Sequence, residues 1–165
     1  MEEIAEHITG DMTKVDYSAI NKCQYLESAF LETLRLRPSV PHLVRYAKID
    51  ITLPNGDIIR KGDGIVVPTY AMGRMPWIWK DPLKFNPDRF QDEKQKYTPS
   101  QYPAFNIPPR LCLGKHVALL EAKIAIIRLF QKFELEPVAG QEVTYEFSVT
   151  NQMKNGFRVK LKPRK

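Results

Sequence analysis

Apolar residues recur at helical spacing in two long runs of the chain. Leu26, Ala29, Phe30, Thr33 and Leu34 fall on one face of a helix that the pattern predicts from about Ala19 or Ile20 to Leu36. Asp16 to Ser18 offer capping side chains in front of it, and Pro38 cannot continue it. From Lys115 to Phe133 a second run places Ala118, Leu119, Ala122, Ala125, Ile126, Leu129 and Phe130 on a main apolar face. Leu120, Ile124 and Ile127 load its other side, so this helix is expected to be embedded. Residues 1 to 9 read as the end of an earlier helix, closed by Gly10 and Asp11.

Between the helices the period shortens. Leu43 to Ala47, Asp50 to Leu53, Ile58 to Arg60 and Ile65 to Val67 read as short strands of one small sheet. Pro54-Asn55-Gly56-Asp57 separates the middle two, and Asn-Gly between β-prone runs is a strong hairpin signal. Trp77 and Trp79, in the most aromatic part of the chain, are expected in the core. Residues 81 to 104, rich in Pro, Asp, Lys and Gln, predict an irregular loop, and residues 141 to 150 and 156 to 162 a terminal strand pair. The fold class is therefore α+β, mainly helical, with small β-sheets.

Composition narrows the function. With 43% apolar residues in 165, the chain can build a core. A net charge of +6 would suit nucleic acid, anionic lipid or an acidic protein, but the basic residues are scattered and no nucleic-acid motif accompanies them. The basic stretch Leu161 to Lys165 reads as a solvated tail. No apolar run is long enough to span a bilayer, and Glu2-Glu3 after Met1 is unlike a signal peptide. The two cysteines, Cys23 and Cys112, stand too far apart in sequence to indicate a disulfide scaffold.

Candidate chemistry gathers at Phe105-Asn-Ile-Pro-Pro-Arg-Leu-Cys-Leu-Gly114. Two prolines forbid helix before Cys112 and a helix opens after it, so the thiol lies at a loop-to-helix junction where a helix dipole and Arg110 favour a thiolate. One thiolate cannot hold zinc or an iron–sulfur cluster, but it can be the single axial ligand of a haem iron. His116, four residues on, opens the alternative of a thiol hydrolase in which it is the general base. Glu32 and Arg35, three apart on the first long helix, would by themselves be an ordinary surface pair.

Taken together these stretches resemble the cytochrome P450 family. Its haem-thiolate loop, Phe-x-x-Gly-x-Arg-x-Cys-x-Gly, is matched by Phe105, Arg110, Cys112 and Gly114, with Pro108 where the family has Gly. Glu32 to Arg35 resembles its Glu-x-x-Arg helix, and Asn86-Pro87-Asp88-Arg89-Phe90 its Pro-Glu-Arg-Phe-type segment. The resemblance implies that Cys112 ligates the iron of haem b, that Arg45 and Arg110 meet its propionates, and that Glu32, Arg35 and Arg89 form a buried structural triad. It implies a monooxygenase that takes dioxygen, and electrons from NADPH through a reductase met by Lys115 and nearby basic residues, to oxidise a lipophilic substrate facing Val40 to Val44. Tyr70 to Trp79 resembles a subset that hydroxylates fatty acids. Residues 1–165 would be the C-terminal portion of a single domain, without the distal helices or a membrane anchor; the full-length family member would belong to the endoplasmic reticulum membrane. The alternative is a truncated, non-catalytic haem-binding or vestigial fragment acting as an interaction domain.

Overall fold

A computed structural model describes residues 1–8, 16–92 and 96–164, with only the backbone of Phe147. The helix stop expected at Gly10 and Asp11 lies outside the described residues, as does Lys165. The first helix is α1, Glu2–His7. The single long helix expected next is two: α2, Tyr17–Lys22, and α3, Gln24–Leu36. Asp16 caps α2 as its sequence predicts, accepting from the Ser18 amide at 2.8 Å. The interruption is at Cys23, whose ψ of 75° leaves the helical region. Tertiary structure stabilises it: the Glu3 carboxylate accepts from the Tyr25 and Leu26 amides at 2.7 and 3.0 Å, satisfying two of the orphan donors of α3 from α1.

After α3 the chain forms β1, Leu43–Tyr46, β2, Ile51–Thr52, β3, Ile58–Ile59, and β4, Gly64–Val67. They make two antiparallel two-stranded ladders, β1 with β4 and β2 with β3, rather than one sheet. Arg45 stands opposite Ile65 in the first ladder, and Gly56, at φ 91°, closes the Asn-Gly hairpin of the second. A short helix α4, Thr69–Met72, follows, and a 3₁₀ turn at Pro87–Phe90 interrupts the otherwise irregular segment up to the cysteine loop.

Helix α5 runs Lys115–Lys132. Its buried line is Leu119, Lys123 and Ile127; of the face expected inside, Leu119 is buried but Ala118, Ala125 and Leu129 are exposed. Ile127 packs with Ile4, Ile8, Ile20 and Cys23 in the apolar core, so α5 is half-embedded. Lys123 is admitted there because its ammonium pairs with Glu27 on α3. Directly after α5 comes β5, Phe133–Pro137, which the sequence reading missed by running the helix to Phe133. Its partner is β8, Val159–Pro163, with Leu135 opposite Leu161. The expected terminal pair is therefore split: β6, Tyr145–Phe147, pairs with β7, Asn151–Met153. Among the described residues no helix is long and apolar enough to cross a membrane.

Candidate functional site

The most buried stripe of α3 is polar: Ser28, Glu32 and Arg35, while Thr33, expected inside, is exposed. Arg35 binds Glu32 through both edges of its fork, Nε to Oε2 at 2.7 Å and Nη2 to Oε1 at 2.8 Å. Arg89, on the 3₁₀ turn, donates from Nε to Oε1 at 3.1 Å, and the Asn86 amide donates to the same oxygen at 2.8 Å. Glu32 thus joins Arg35 and Arg89 in the interior rather than at the surface.

The rest of the fork donors organise backbone. Arg35 donates to the carbonyls of Gly73, Pro82 and Lys84, and Arg89 to those of Lys80 and Lys84. Five carbonyl contacts between Gly73 and Lys84 explain how this irregular stretch holds a fixed path. Trp79 roofs the cluster, its ring centre 5.1 Å from Arg35 Cζ and 5.9 Å from Arg89 Cζ, and its indole N–H donates to Met72 at 2.9 Å. Only one tryptophan fits there: Trp79 is fully buried and Trp77 is 77% exposed. The Tyr102 hydroxyl donates to the Leu31 carbonyl at 2.8 Å. Burial pushes its phenol well above the ordinary range, the Glu32 carboxylate adds to this, and Arg35 opposes it. Sequence reasoning missed Gly73 and Tyr102 and gave Asn86 no role beyond its place in the motif, although it carried a readable signal as a capping residue directly before Pro87.

The cysteine loop leads from this scaffold into α5. The Cys112 amide donates to the Phe105 carbonyl at 2.8 Å, and the Arg110 amide to Ile107 at 2.9 Å, so the loop folds back on itself. Asn106 supplies a left-handed residue at φ 67°, a conformation Asn tolerates, and its side chain accepts from the Ile107 amide. The left-handed turn falls two residues before Pro108, so the proline is not asked to adopt a positive φ. Gly114 is the N-cap residue of α5, and Lys115 Nζ lies 5.6 Å from the Phe105 ring centre.

The thiols differ sharply. Cys23 is fully buried; its burial, with Glu3 nearby, pushes the thiol up, while Lys123 acts against the shift. Cys112 is exposed. Both arginines expected beside it are exposed too. Arg45 donates only to the Val44 carbonyl, at 2.8 Å, and among the described residues neither Arg45 nor Arg110 pairs with a carboxylate. No hydrogen bond joins Cys112 to Arg45, Arg110 or His116 among the described residues. One open sulfur and two uncompensated guanidinium forks are a donor set that fits an iron macrocycle bearing carboxylates. No cluster of three or more metal-ligating side chains occurs among the described residues.

Comparison with known proteins bears on the same stretches. A family model described as cytochrome P450 matches residues 1–160. Cytochrome P450 704C1 of Pinus taeda is 39% identical over 150 residues, 88% of this chain and 29% of that protein. Cytochrome P450 86B1 of Arabidopsis thaliana is 37% identical over 161 residues, 92% of this chain and 29% of that protein. The crystal structure of a cytochrome P450, CYP102L1, superposes with a TM-score of 0.87 at 29% identity, covering 99% of this chain and 37% of that one. The chain thus spans about a third or less of the curated relatives it matches.

Proposed function

The chain belongs to the cytochrome P450 family and has part of its α+β fold, and on that premise we propose that residues 1–165 are the C-terminal portion of a haem-thiolate monooxygenase domain. The observation that carries the proposal is the contrast between the two cysteines: Cys23 is sealed in the core, while Cys112 is held open on a folded-back loop at the mouth of α5. Cys112 would hold the iron of haem b through its thiolate, and the open forks of Arg45 and Arg110 would receive the propionates. Phe105 and Gly114 shape the loop around the sulfur, the first through its carbonyl bond to the Cys112 amide. When bound, haem b supplies the oxygen activation by which one atom of dioxygen enters an organic substrate. The chain's own part is to fix the sulfur, neutralise the propionates and hold the segment from Gly73 to Arg89 through the Glu32–Arg35–Arg89 scaffold.

The finer assignments are proposals of the same kind: an NADPH-fed reductase as electron source, Lys115 and neighbouring basic residues as part of the surface it meets, and a lipophilic, fatty-acid-like substrate. Lys115→Glu should slow electron delivery at unchanged haem content; unchanged delivery would remove Lys115 from that surface. The central test is to load the chain with haem and record the ferrous carbon monoxide spectrum of the parent and of Cys112→Ser. A thiolate-type spectrum lost in the Ser variant is expected. An identical spectrum in both would overturn the assignment.

One observation favours a second reading, a non-catalytic haem-binding fragment acting as an interaction domain: Leu113, beside the thiol, is fully exposed. Thiolate-type haem binding without substrate oxidation in the presence of a reductase would select it.

A further inference from the structure

The C-terminal end of α3, helix α4 and the segment after Trp79 enclose a groove of about 350 Å³ lined by Leu36, Arg37, Tyr70, Arg74, Leu83 and Phe85. Two guanidiniums converge in it on one tyrosine. Arg74 lies over the Tyr70 face, with Cζ 3.6 Å from the ring centre, and Arg37 donates to the Tyr70 hydroxyl at 3.1 Å. Arg74 also donates to the carbonyls of Leu36 at 2.5 Å and Tyr70 at 3.1 Å, and Arg37 lies 4.7 Å from the Tyr145 ring centre. No carboxylate lines the groove, and neither arginine forms an ion pair among the described residues. Each fork therefore keeps donors without an acceptor.

The local field is uncompensated. Burial pushes the Arg74 guanidinium below its ordinary value; Tyr70 opposes this, and the Arg37 and Arg35 cations add to it. Beside the two forks the rim is apolar, with Leu83 75% and Phe85 51% exposed. An inorganic anion would pair the guanidiniums and leave Leu83 and Phe85 in water; an uncharged hydrocarbon would do the reverse. A molecule joining one carboxylate to a short apolar body satisfies both halves.

We propose that this groove binds a small amphiphilic carboxylate, its head on the guanidiniums of Arg37 and Arg74 and its body on Leu36, Leu83 and Phe85. The site uses none of the residues assigned to haem, so it stands or falls independently of that reading.

The test is titration of the 165-residue chain with decanoate below its micelle concentration, following the Arg37 and Arg74 side-chain Nε–H signals by NMR. Saturable shifts of both are expected. Decanol and acetate should each bind about tenfold more weakly or worse, since each lacks one half of the recognition. Arg37→Gln and Leu83→Ser change exposed residues, so the fold survives, and each should weaken decanoate about tenfold. Equal binding of decanol would refute recognition by charge, and equal binding of acetate would reduce the groove to an adventitious ion site. Binding of an acidic Leu- and Phe-flanked peptide with no binding of decanoate would overturn the proposed class of ligand.

Discussion

Removing the Glu32 carboxylate tests the scaffold most directly. Its two oxygens accept four bonds: Arg35 Nε, Arg35 Nη2, Arg89 Nε and the Asn86 amide. Glu32→Ala deletes all four and leaves two buried guanidiniums facing each other with no anion, since the side chains of Arg35 and Arg89 are 0% and 6% exposed. Breaking a buried pair from one side costs about 3–5 kcal/mol. Glu32→Gln keeps the volume and one acceptor oxygen, which can still serve Arg35 Nη2, Arg89 and Asn86, but turns an amide donor toward Arg35 Nε. It should sit at or just below the lower bound, about 3 kcal/mol. Against a total of about 5–15 kcal/mol for a domain, the Gln variant folds and can be measured. In urea, with a slope of about 1–3 kcal/mol per molar, the midpoint should fall by about 1–3 M for Gln and further for Ala. Far-UV circular dichroism before denaturation checks that the starting state is native. If both variants denature within about 0.5 M of the parent, the cluster does not hold the segment from Gly73 to Arg89, and the scaffold argument fails.

Three further outcomes follow from the same geometry. A Cβ at Gly73 would collide with the Arg35 carbonyl oxygen and approach its carbon to 3.2 Å, so Gly73→Ala should destabilise by about 1–3 kcal/mol, read as a lower thermal midpoint; an unchanged midpoint would refute the close packing of α4 on α3. The Tyr102 phenol titrates higher folded than unfolded, so its contribution is intact below about pH 10 and is lost as pH rises above that, at about 1.4 kcal/mol per unit. Tyr102→Phe should therefore be less stable than the parent at neutral pH, through the lost bond to Leu31, and the gap should narrow above about pH 10; a constant gap would count against the burial. With a thiol-reactive chromophore the native chain should release one fast equivalent, abolished by Cys112→Ser, with Cys23 reacting only on denaturation; two fast equivalents would refute the sealed core.

What could be read in the sequence was whatever local chemistry decides. Asp16 capped its helix, Asn55-Gly56 turned its hairpin, Pro38 stopped α3, and a helix opened after the cysteine loop, each through bonds made within a few residues. The remainder depended on distant partners. The break at Cys23 is stabilised by Glu3, twenty positions upstream, and β5 exists because β8 pairs with it. Trp77 and Trp79 differ by two positions, and only the location of Arg35 and the Met72 carbonyl selects the second for the interior.

The most instructive error concerns α3, because amphipathic periodicity assigns charged residues to water. That rule predicts Thr33 inside and Glu32 and Arg35 outside, and the structure inverts it. Burial followed satisfaction rather than hydropathy. Glu32 had four donors waiting, and the Arg35 fork had both carboxylate oxygens plus three backbone carbonyls from an irregular segment with no strand or helix partners of its own. A segment such as residues 73 to 90 must discharge its backbone polar groups somewhere, and a buried arginine is one of few side chains able to take several carbonyls at once. The charged stripe of α3 and the path of that segment are thus one feature: its carbonyls satisfy the buried forks, and the forks fix its course. The resemblance of two distant motifs pointed to it, whereas the hydrophobic pattern of either segment alone pointed away.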